Sequence, residues 1–197
     1  MKPALIAVGA FVGFVVLLGL AYMGIYNGLV GKQEAVNSSW AQVQNVYQRR
    51  QDLVPNLVET VKGAANFEKS TLSAVTEARA RVGSMTVDKS ILNNPEQFKK
   101  FEAAQGELGR ALSHLMAVSE NYPQLKATES FRDLQVQLEG TENRITVERR
   151  SFNEAVQEYN VGIRRFPASI IAGMAGFQTH PYFEADAGAA KAPAVKF

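Results

Sequence analysis

The sequence predicts an all-α protein: an N-terminal transmembrane helix that continues into an elongated antiparallel four-helix bundle. Two observations carry this prediction. Residues 3–31 contain no charged side chain, and the first 23 of them are almost wholly apolar. After this run, apolar residues recur in alternating steps of three and four, and no stretch alternates convincingly as a strand. We expect a transmembrane anchor at 1–25, a helical bundle at 26–176 and a flexible tail at 177–197.

The anchor prediction depends on the length of the apolar run. A helix rises about 1.5 Å per residue and crosses roughly 30 Å of hydrocarbon in about 20 residues, so the run is long enough for a single pass. The alternative is a cleavable signal peptide, with Leu5 to Leu18 as its apolar region and small residues at Gly19 and Ala21 before a cleavage site. The apolar run continues past that site to Ile25, which favours a retained anchor.

The first bundle helix is expected to extend from the membrane to about Asn66. Its apolar stripe consists of Val36, Trp40, Val43, Tyr47, Val54, Leu57, Val61 and Ala64. Arg50 is the single polar interruption of this stripe, and Pro55 is expected to bend the helix. The anchor and this helix are candidates for one continuous rod.

Three more helices follow in the sequence. We expect them at about 67–84, from Pro95 to the turn at 121–123, and from Glu129 to Phe166, because each keeps an apolar stripe at helical spacing. Residues 85–94 are predicted to form a loop. The second and third of the four helices are shorter than the first and fourth.

Composition excludes several functional classes. Residues 26–197 contain 20 basic and 19 acidic residues, so no nucleic-acid partner is expected. The absence of cysteine excludes disulfides and thiolate metal sites. Neither His114 nor His180 follows a glutamate by three positions, as a di-iron helical bundle requires. We therefore predict no catalytic, cofactor-binding or metal-binding residues, and no enzymatic activity.

Several segments resemble the LemA family of bacterial membrane proteins. They are YNGLV at 26–30, RRQDLVPNLVETVKG at 49–63, ENYPQLKA at 120–127, LEGTENRITVERRSFNEAVQEYN at 138–160, FP…GF…PYFEA at 166–185 and PAVKF at 193–197. The resemblance covers nearly the whole chain in order. It implies a single N-terminal span in a bacterial membrane, an elongated helical bundle and no established enzymatic activity.

Helix lengths predict self-association. If the two middle helices are too short to reach the membrane, the membrane-proximal halves of the first and fourth helices lack packing partners. Aromatic residues in those halves would then contact neighbouring copies in a lateral homo-oligomer. These predicted interface residues are Trp40, Tyr47, Phe152 and Tyr159. The alternative is that the loop at 85–94 covers them.

Polar residues also cluster on the first and fourth helices. We interpret them as interhelical pairs that set register, with a binding site as the alternative. The residues are Asp52, Asn56, Glu59, Glu142, Asn143 and Arg144.

The C-terminal part of the chain contains two further candidate sites. Ile170, Ile171, Met174 and Phe177 are predicted to lie at the membrane interface, with a cap on the end of the bundle as the alternative. Pro193, Val195 and Phe197 form a candidate docking peptide for a membrane protein partner, although such ends more often have no role.

Together these patterns predict a non-enzymatic scaffold or interaction protein. Its expected partners are the lipid bilayer and further copies of itself. The alternative is an adaptor or ligand sensor that presents clients to a membrane protease or transporter.

Overall fold

The computed structural model describes residues 3–63, 67–85 and 87–184, and in these residues it contains helices and connections but no β-strand. This confirms the predicted all-α class. The helices are α1 (Pro3–Lys62), α2 (Lys69–Gly83), α3 (Pro95–Ser119), α4 (Pro123–Lys126), α5 (Glu129–Arg164) and α6 (Ala168–Ala175).

Helix α1 is uninterrupted over 60 residues, which corresponds to roughly 90 Å. The apolar anchor and the first bundle helix are therefore one helix, and Pro55 lies within it. The helix is long and apolar enough to cross a membrane. Its large apolar side chains from Leu5 to Met23 are exposed to the surroundings of the protein, as expected for a segment that lipid covers.

The long helices alternate in direction. Helix α1 leads away from the apolar end, α2 returns, α3 leads away again, and α5 returns after the short α4. The most extensive packing is between α1 and α5, and α2 packs mainly on α3. Helices α3 and α5 make little direct contact, which leaves an open groove between them.

Two apolar clusters fill the bundle. The distal cluster joins all four long helices through residues such as Val54, Val75, Leu115 and Phe131. The proximal cluster, nearer the anchor, is centred on Trp40 of α1.

The connection between α2 and α3 supplies part of the proximal cluster. It contains a 3₁₀ turn, Lys89–Asn93, whose first turn is capped by Asp88 through the backbone N–H of Ser90 at 2.8 Å. Ile91 and Leu92 in this turn are buried. The amide of Gln44 donates to the Val87 carbonyl and holds the connection against α1.

After α6 the chain turns at Gly176 and runs back along the bundle. Gly176 has a positive φ of 76°, a conformation that glycine adopts at little energetic cost. We call residues 177–184 the strap. Phe183 is 5% exposed and His180 is 6% exposed. The predicted flexible tail is therefore wrong for the strap, because its side chains fill the proximal cluster and its backbone is hydrogen-bonded to α5.

Candidate functional site

Trp40 is the centre of the aromatic packing near the anchor. Its ring lies 5.5 Å from Phe152, 5.6 Å from Phe101 and 5.8 Å from Phe98, measured between ring centroids. Phe183 of the strap completes the enclosure at 6.2 Å. Such tilted and edge-to-face contacts are favourable beyond the burial of apolar area.

This packing contradicts the predicted oligomer interface. Trp40, Phe152 and Tyr159 are fully buried within one chain, and Tyr47 is 4% exposed. Trp40, Phe152 and Tyr159 are therefore not available to a neighbouring copy. The prediction failed because α3 begins at the level of Trp40, and because residues 87–93 and the strap contribute further side chains to the cluster around it.

Asn160 fixes the strap by its backbone. Its side-chain carbonyl accepts from the N–H of His180 at 3.0 Å, and its side-chain amide donates to the C=O of the same residue at 2.9 Å. Asn160 is itself buried. One side chain thus forms hydrogen bonds with both backbone groups of His180, which are buried and would otherwise lack partners.

Asn153 repeats this arrangement seven positions earlier on α5. It bonds the N–H and the C=O of Phe183, each at 2.9 Å. Seven helical residues span about 10.5 Å, and three residues of extended chain span about 10 Å, so the strap is nearly extended between the two contacts. It runs antiparallel to α5.

Arg149 and Glu102 hold the end of the strap. The Arg149 guanidinium donates to the Glu184 carbonyl at 2.8 Å and to the Glu102 carboxylate at 2.7 Å. The same carboxylate accepts from the Glu184 N–H at 3.0 Å. The Arg149 guanidinium also lies 4.6 Å from the centroid of the Phe183 ring, over its face. Its hydrogen bonds and this cation–π contact therefore hold the same end of the strap.

His180 is held as a neutral ring. Its Nδ1 lies 3.0 Å from the Leu92 carbonyl, to which the Nδ1–H tautomer donates, and its ring stacks on Tyr159 at 4.8 Å. Burial lowers the pKa of His180, and the Leu92 carbonyl opposes this in part. Burial likewise raises the pKa of the Tyr159 hydroxyl.

Helix α6 lies where the bundle meets the anchor. Phe177, just after α6, packs against Tyr26 of α1 with ring centroids 5.9 Å apart. Of the predicted membrane-interface residues, Ile170 and Met174 are exposed, whereas Ile171 is buried and Phe177 is partly buried. Phe166, which precedes them in the same apolar segment, is 83% exposed.

A partly buried ionic network lies at the middle of the bundle. Arg50 of α1 is 2% exposed and pairs with Glu142 of α5 at 3.1 Å. It also donates to the backbone carbonyl of Gln105 at 3.0 Å and to the side-chain carbonyl of the same residue. The guanidinium stands over the Tyr47 ring at 5.0 Å.

Only one of the six predicted interhelical polar residues takes part in this network. Glu142 contacts Arg50, whereas Asp52 accepts a hydrogen bond from Gln48 of its own helix. Glu59 pairs with Lys62 within α1. Asn56, Asn143 and Arg144 are exposed.

The groove between α3 and α5 encloses about 880 Å³ and has Arg50 and Tyr47 in its floor. Its walls are polar at the rim and apolar below. They include Gly106, Gly109 and Ser113 of α3 and Glu139, Asn143 and Thr146 of α5. Within 3–63, 67–85 and 87–184, no three His, Asp or Glu side chains gather as metal ligands. The candidate docking residues Pro193, Val195 and Phe197 lie outside the described part of the chain.

The sequence marks the Arg50 network more clearly than it marks the strap. Arg50 is a charged residue inside an apolar stripe, and such a residue needs a partner when it is buried. The residues that hold the strap were missed. Asn153 and Asn160 are one heptad apart and face inward beside Phe152 and Tyr159, which is a weaker signal. Nothing local marks His180 and Phe183 as core residues.

Comparison with known proteins relates the chain to one family. The sequence model of the LemA family matches residues 39–197. The magnetosome protein MamQ 1 of Paramagnetospirillum magneticum is 27% identical over 175 residues, which cover 81% of this chain and 64% of that protein. MamQ of Magnetospirillum gryphiswaldense is 28% identical over 174 residues, with 80% and 64% covered.

A third relative is protein LemA of Metamycoplasma hominis, which is 24% identical over 163 residues, covering 81% of this chain and 70% of that protein. The chain spans 64% of the length of the magnetosome relatives. With the long apolar helix α1, these relatives point to a membrane location.

Proposed function

Because the chain belongs to the LemA family, and because one helix joins its apolar anchor to its bundle, we propose that the protein is a non-catalytic scaffold that self-assembles laterally at a bacterial membrane. Helix α1 crosses the bilayer once in this proposal. The observation that carries it is the continuity of α1 from Pro3 to Lys62.

A continuous helix fixes the bundle relative to the bilayer. With no linker between anchor and bundle, all copies stand at the same height and in the same orientation. Copies confined to one membrane also meet at a high effective concentration. These conditions favour lateral contact through a matching surface at a fixed height.

The surface we assign to self-association is the groove between α3 and α5. The aromatic residues first considered are buried, so contact between copies has to use exposed walls. In the groove, the buried apolar residues Leu112, Leu138 and Ile145 lie beside Arg50 and Tyr47, and exposed polar residues form its rim. Its place is fixed in every copy by the Arg50 network beneath it.

The relatives support a role on a membrane. Two of the three are named as magnetosome proteins, and none of the three names describes a reaction. We carry only a membrane-associated, non-catalytic role to this chain. Because the match covers 64% of the length of the magnetosome relatives, we do not assign their binding partners to this chain.

Mass measurement of the full-length protein in mild detergent tests self-assembly. Light scattering after size exclusion, followed by particle imaging, should give a regular assembly of several chains. A matched pair of variants tests the surface: Thr146→Trp projects into the groove, whereas Ser151→Trp lies on α5 outside it. Loss of assembly with the first variant alone supports the groove. A monomeric wild-type protein would overturn the proposal.

A second candidate function uses the same groove. An adaptor would bind a segment of a client there and present it to a membrane protease or transporter. The mixed lining and the volume of about 880 Å³ suit an inserted peptide segment.

Crosslinking inside cells distinguishes the two functions. A photoreactive phenylalanine analogue at position 146 should give a product of twice the chain mass if the protein is a scaffold. A crosslink to a different protein, together with a monomeric mass in detergent, would favour the adaptor. Removal of residues 191–197 should then abolish client binding only if the C-terminal peptide takes part.

A further inference from the structure

Three exposed apolar side chains lie together beside the anchor. Phe166, Ile170 and Met174 are 83%, 57% and 77% exposed, and we call them the apolar patch. Ile170 and Met174 are four residues apart and share one side of α6, and Phe166 lies in the turn just before that helix. The opposite side of α6 is buried through Ile171 and Ala172.

The patch is a local concentration. Outside α1, the other large apolar side chains exposed in the described residues are Val136, Val147 and Tyr182. None of these lies within a helical turn of another along the sequence. Three exposed large side chains within nine residues therefore indicate a surface with an apolar partner.

The level of the patch is fixed by contacts with α1. Ile25 and Leu29 of α1 belong to the same apolar cluster as Ala168 and Phe177, at the two ends of α6. Leu29 and Lys32 pack against Gly162 near the end of α5. Helix α6 thus flanks the last turns of the charge-free run that ends at Gly31.

This level corresponds to the membrane interface. If about 20 residues from Leu5 span the hydrocarbon, the span ends near Gly24. Tyr22 and Tyr26 then lie at the interface, where aromatic side chains are enriched. Phe177 contacts Tyr26 at 5.9 Å, which places α6 at the same depth.

Charge near the patch matches an anionic lipid surface. The 25 residues from Tyr159 to Phe183 include Arg164 and Arg165 and no acidic residue. Both arginines are exposed and directly precede Phe166. The nearby Glu158 is paired with Lys32 at 3.5 Å.

We infer that the apolar patch inserts into the interfacial region of the same leaflet in which α1 ends, with Arg164 and Arg165 at anionic headgroups. The occupant of the patch is lipid. The bundle then has two membrane contacts, the span and α6, which together prevent it from tilting and rotating about α1. This inference rests on the proposed membrane anchoring by α1 and is independent of self-assembly.

Spin-label accessibility tests the depth of the patch. The chain has no cysteine, so single-cysteine variants Ile170→Cys and Met174→Cys can be labelled in the full-length protein without background. The protein is placed in vesicles of phosphatidylcholine and phosphatidylglycerol. Collision with oxygen, which concentrates in lipid, is compared with collision with a water-soluble nickel chelate. Val12→Cys serves as the reference within the span, and Val136→Cys serves as the exposed reference on α5.

The inference expects the oxygen-to-nickel ratio at positions 170 and 174 to lie between those of the two references. A ratio equal to that at position 136 overturns it. Protection from both reagents, with spin–spin broadening that disappears on dilution with unlabelled protein, would assign the patch to a second copy and also overturn it. If position 12 itself is water-accessible, the anchoring proposal fails, and this outcome is distinguishable from failure of the patch alone.

A charge variant tests the lipid preference. In Arg164→Gln/Arg165→Gln, the ratios at positions 170 and 174 should shift toward the aqueous value, and replacing phosphatidylglycerol by phosphatidylcholine should have the same effect on the wild-type protein. Arg144→Gln is the matched control, because Arg144 is exposed on α5 about 30 Å farther from the membrane, beyond the reach of screened charge. Equal ratios in both lipid compositions would overturn the headgroup assignment.

Discussion

The side-chain amide of Asn160 bonds both the N–H and the C=O of His180, at 3.0 and 2.9 Å, and thereby fixes the register of the strap on α5. Asn153 does the same for Phe183. These contacts recognise backbone and not side chains. They set which strap residues face the core, and they place Phe183 against Trp40.

Replacing Asn160 by alanine should destabilise the protein by about 1–3 kcal/mol, because it leaves two buried backbone groups of His180 without partners. Thermal unfolding of the full-length protein in detergent, followed by circular dichroism, measures this loss. Fluorescence of Trp40, which is the only tryptophan, reports whether the strap has left the aromatic cluster.

The control for this prediction is Gln157→Ala, which removes an exposed amide from the same helix. It should change stability by less than about 0.5 kcal/mol. If both alanine variants unfold at the same temperature, Asn160 does not hold the strap.

Acidification should loosen the strap through His180. Burial lowers the pKa of His180 below its usual value of about 6.5, so the unfolded chain binds more protons than the folded one between the lowered pKa and 6.5. The contribution of His180 to stability is therefore complete above about pH 6.5 and is lost as the pH falls through that window.

His180→Gln should reduce the dependence of the melting temperature on pH between about 7.5 and 5.5, because it removes a group whose pKa is lower in the folded chain than in the unfolded one. An unchanged pH dependence in His180→Gln would contradict the assignment.

The long helices could be predicted from sequence because their signal is local. Alternating steps of three and four along α1 and α5 place residues such as Val36 and Phe152 on one face, and the structure buries them. The start of α3 is also a local signal, because Pro95 is its first residue and the Asn94 side chain caps it by accepting from the Gln97 N–H.

What covers Trp40 could not be predicted from helix lengths. A helix advances about 1.5 Å per residue, but extended chain advances about 3.3 Å, so the strap reaches much farther than a helix of equal length. Neither the core residues of the strap nor Ile91 and Leu92 in the 3₁₀ turn continue the apolar stripe of a long helix. The partners of Arg50 are similarly remote, since Gln105 and Glu142 lie 55 and 92 positions away.

Breaking the Arg50 network should destabilise the protein more when the charged guanidinium stays buried than when the charge itself is removed. Glu142→Ala leaves the guanidinium of Arg50 buried without its carboxylate, and we expect a loss of about 2–4 kcal/mol, reduced by the partial exposure of Glu142. Arg50→Met removes the charge while keeping much of the volume, and it should cost less.

Glu59→Ala is the control for the network. It breaks the exposed pair with Lys62 and should change stability by less than about 1 kcal/mol. The three unfolding temperatures should therefore rank with Glu142→Ala lowest. An equal or smaller loss for Glu142→Ala than for Glu59→Ala would show that the Arg50–Glu142 pair is not a stabilising contact.

Truncating the aromatic cluster should unfold the membrane-proximal half and not simply separate copies. Trp40→Ala removes a fully buried side chain that four other rings contact, and a loss of about 3–5 kcal/mol is expected. Trp40→Phe should cost less, because it keeps an aromatic ring and removes an indole N–H that has no acceptor among the described residues. Circular dichroism and light scattering on the same samples distinguish the two effects. Because Trp40 does not reach the surface, a variant that keeps its melting temperature but loses its assembly would return Trp40 to an interface between copies.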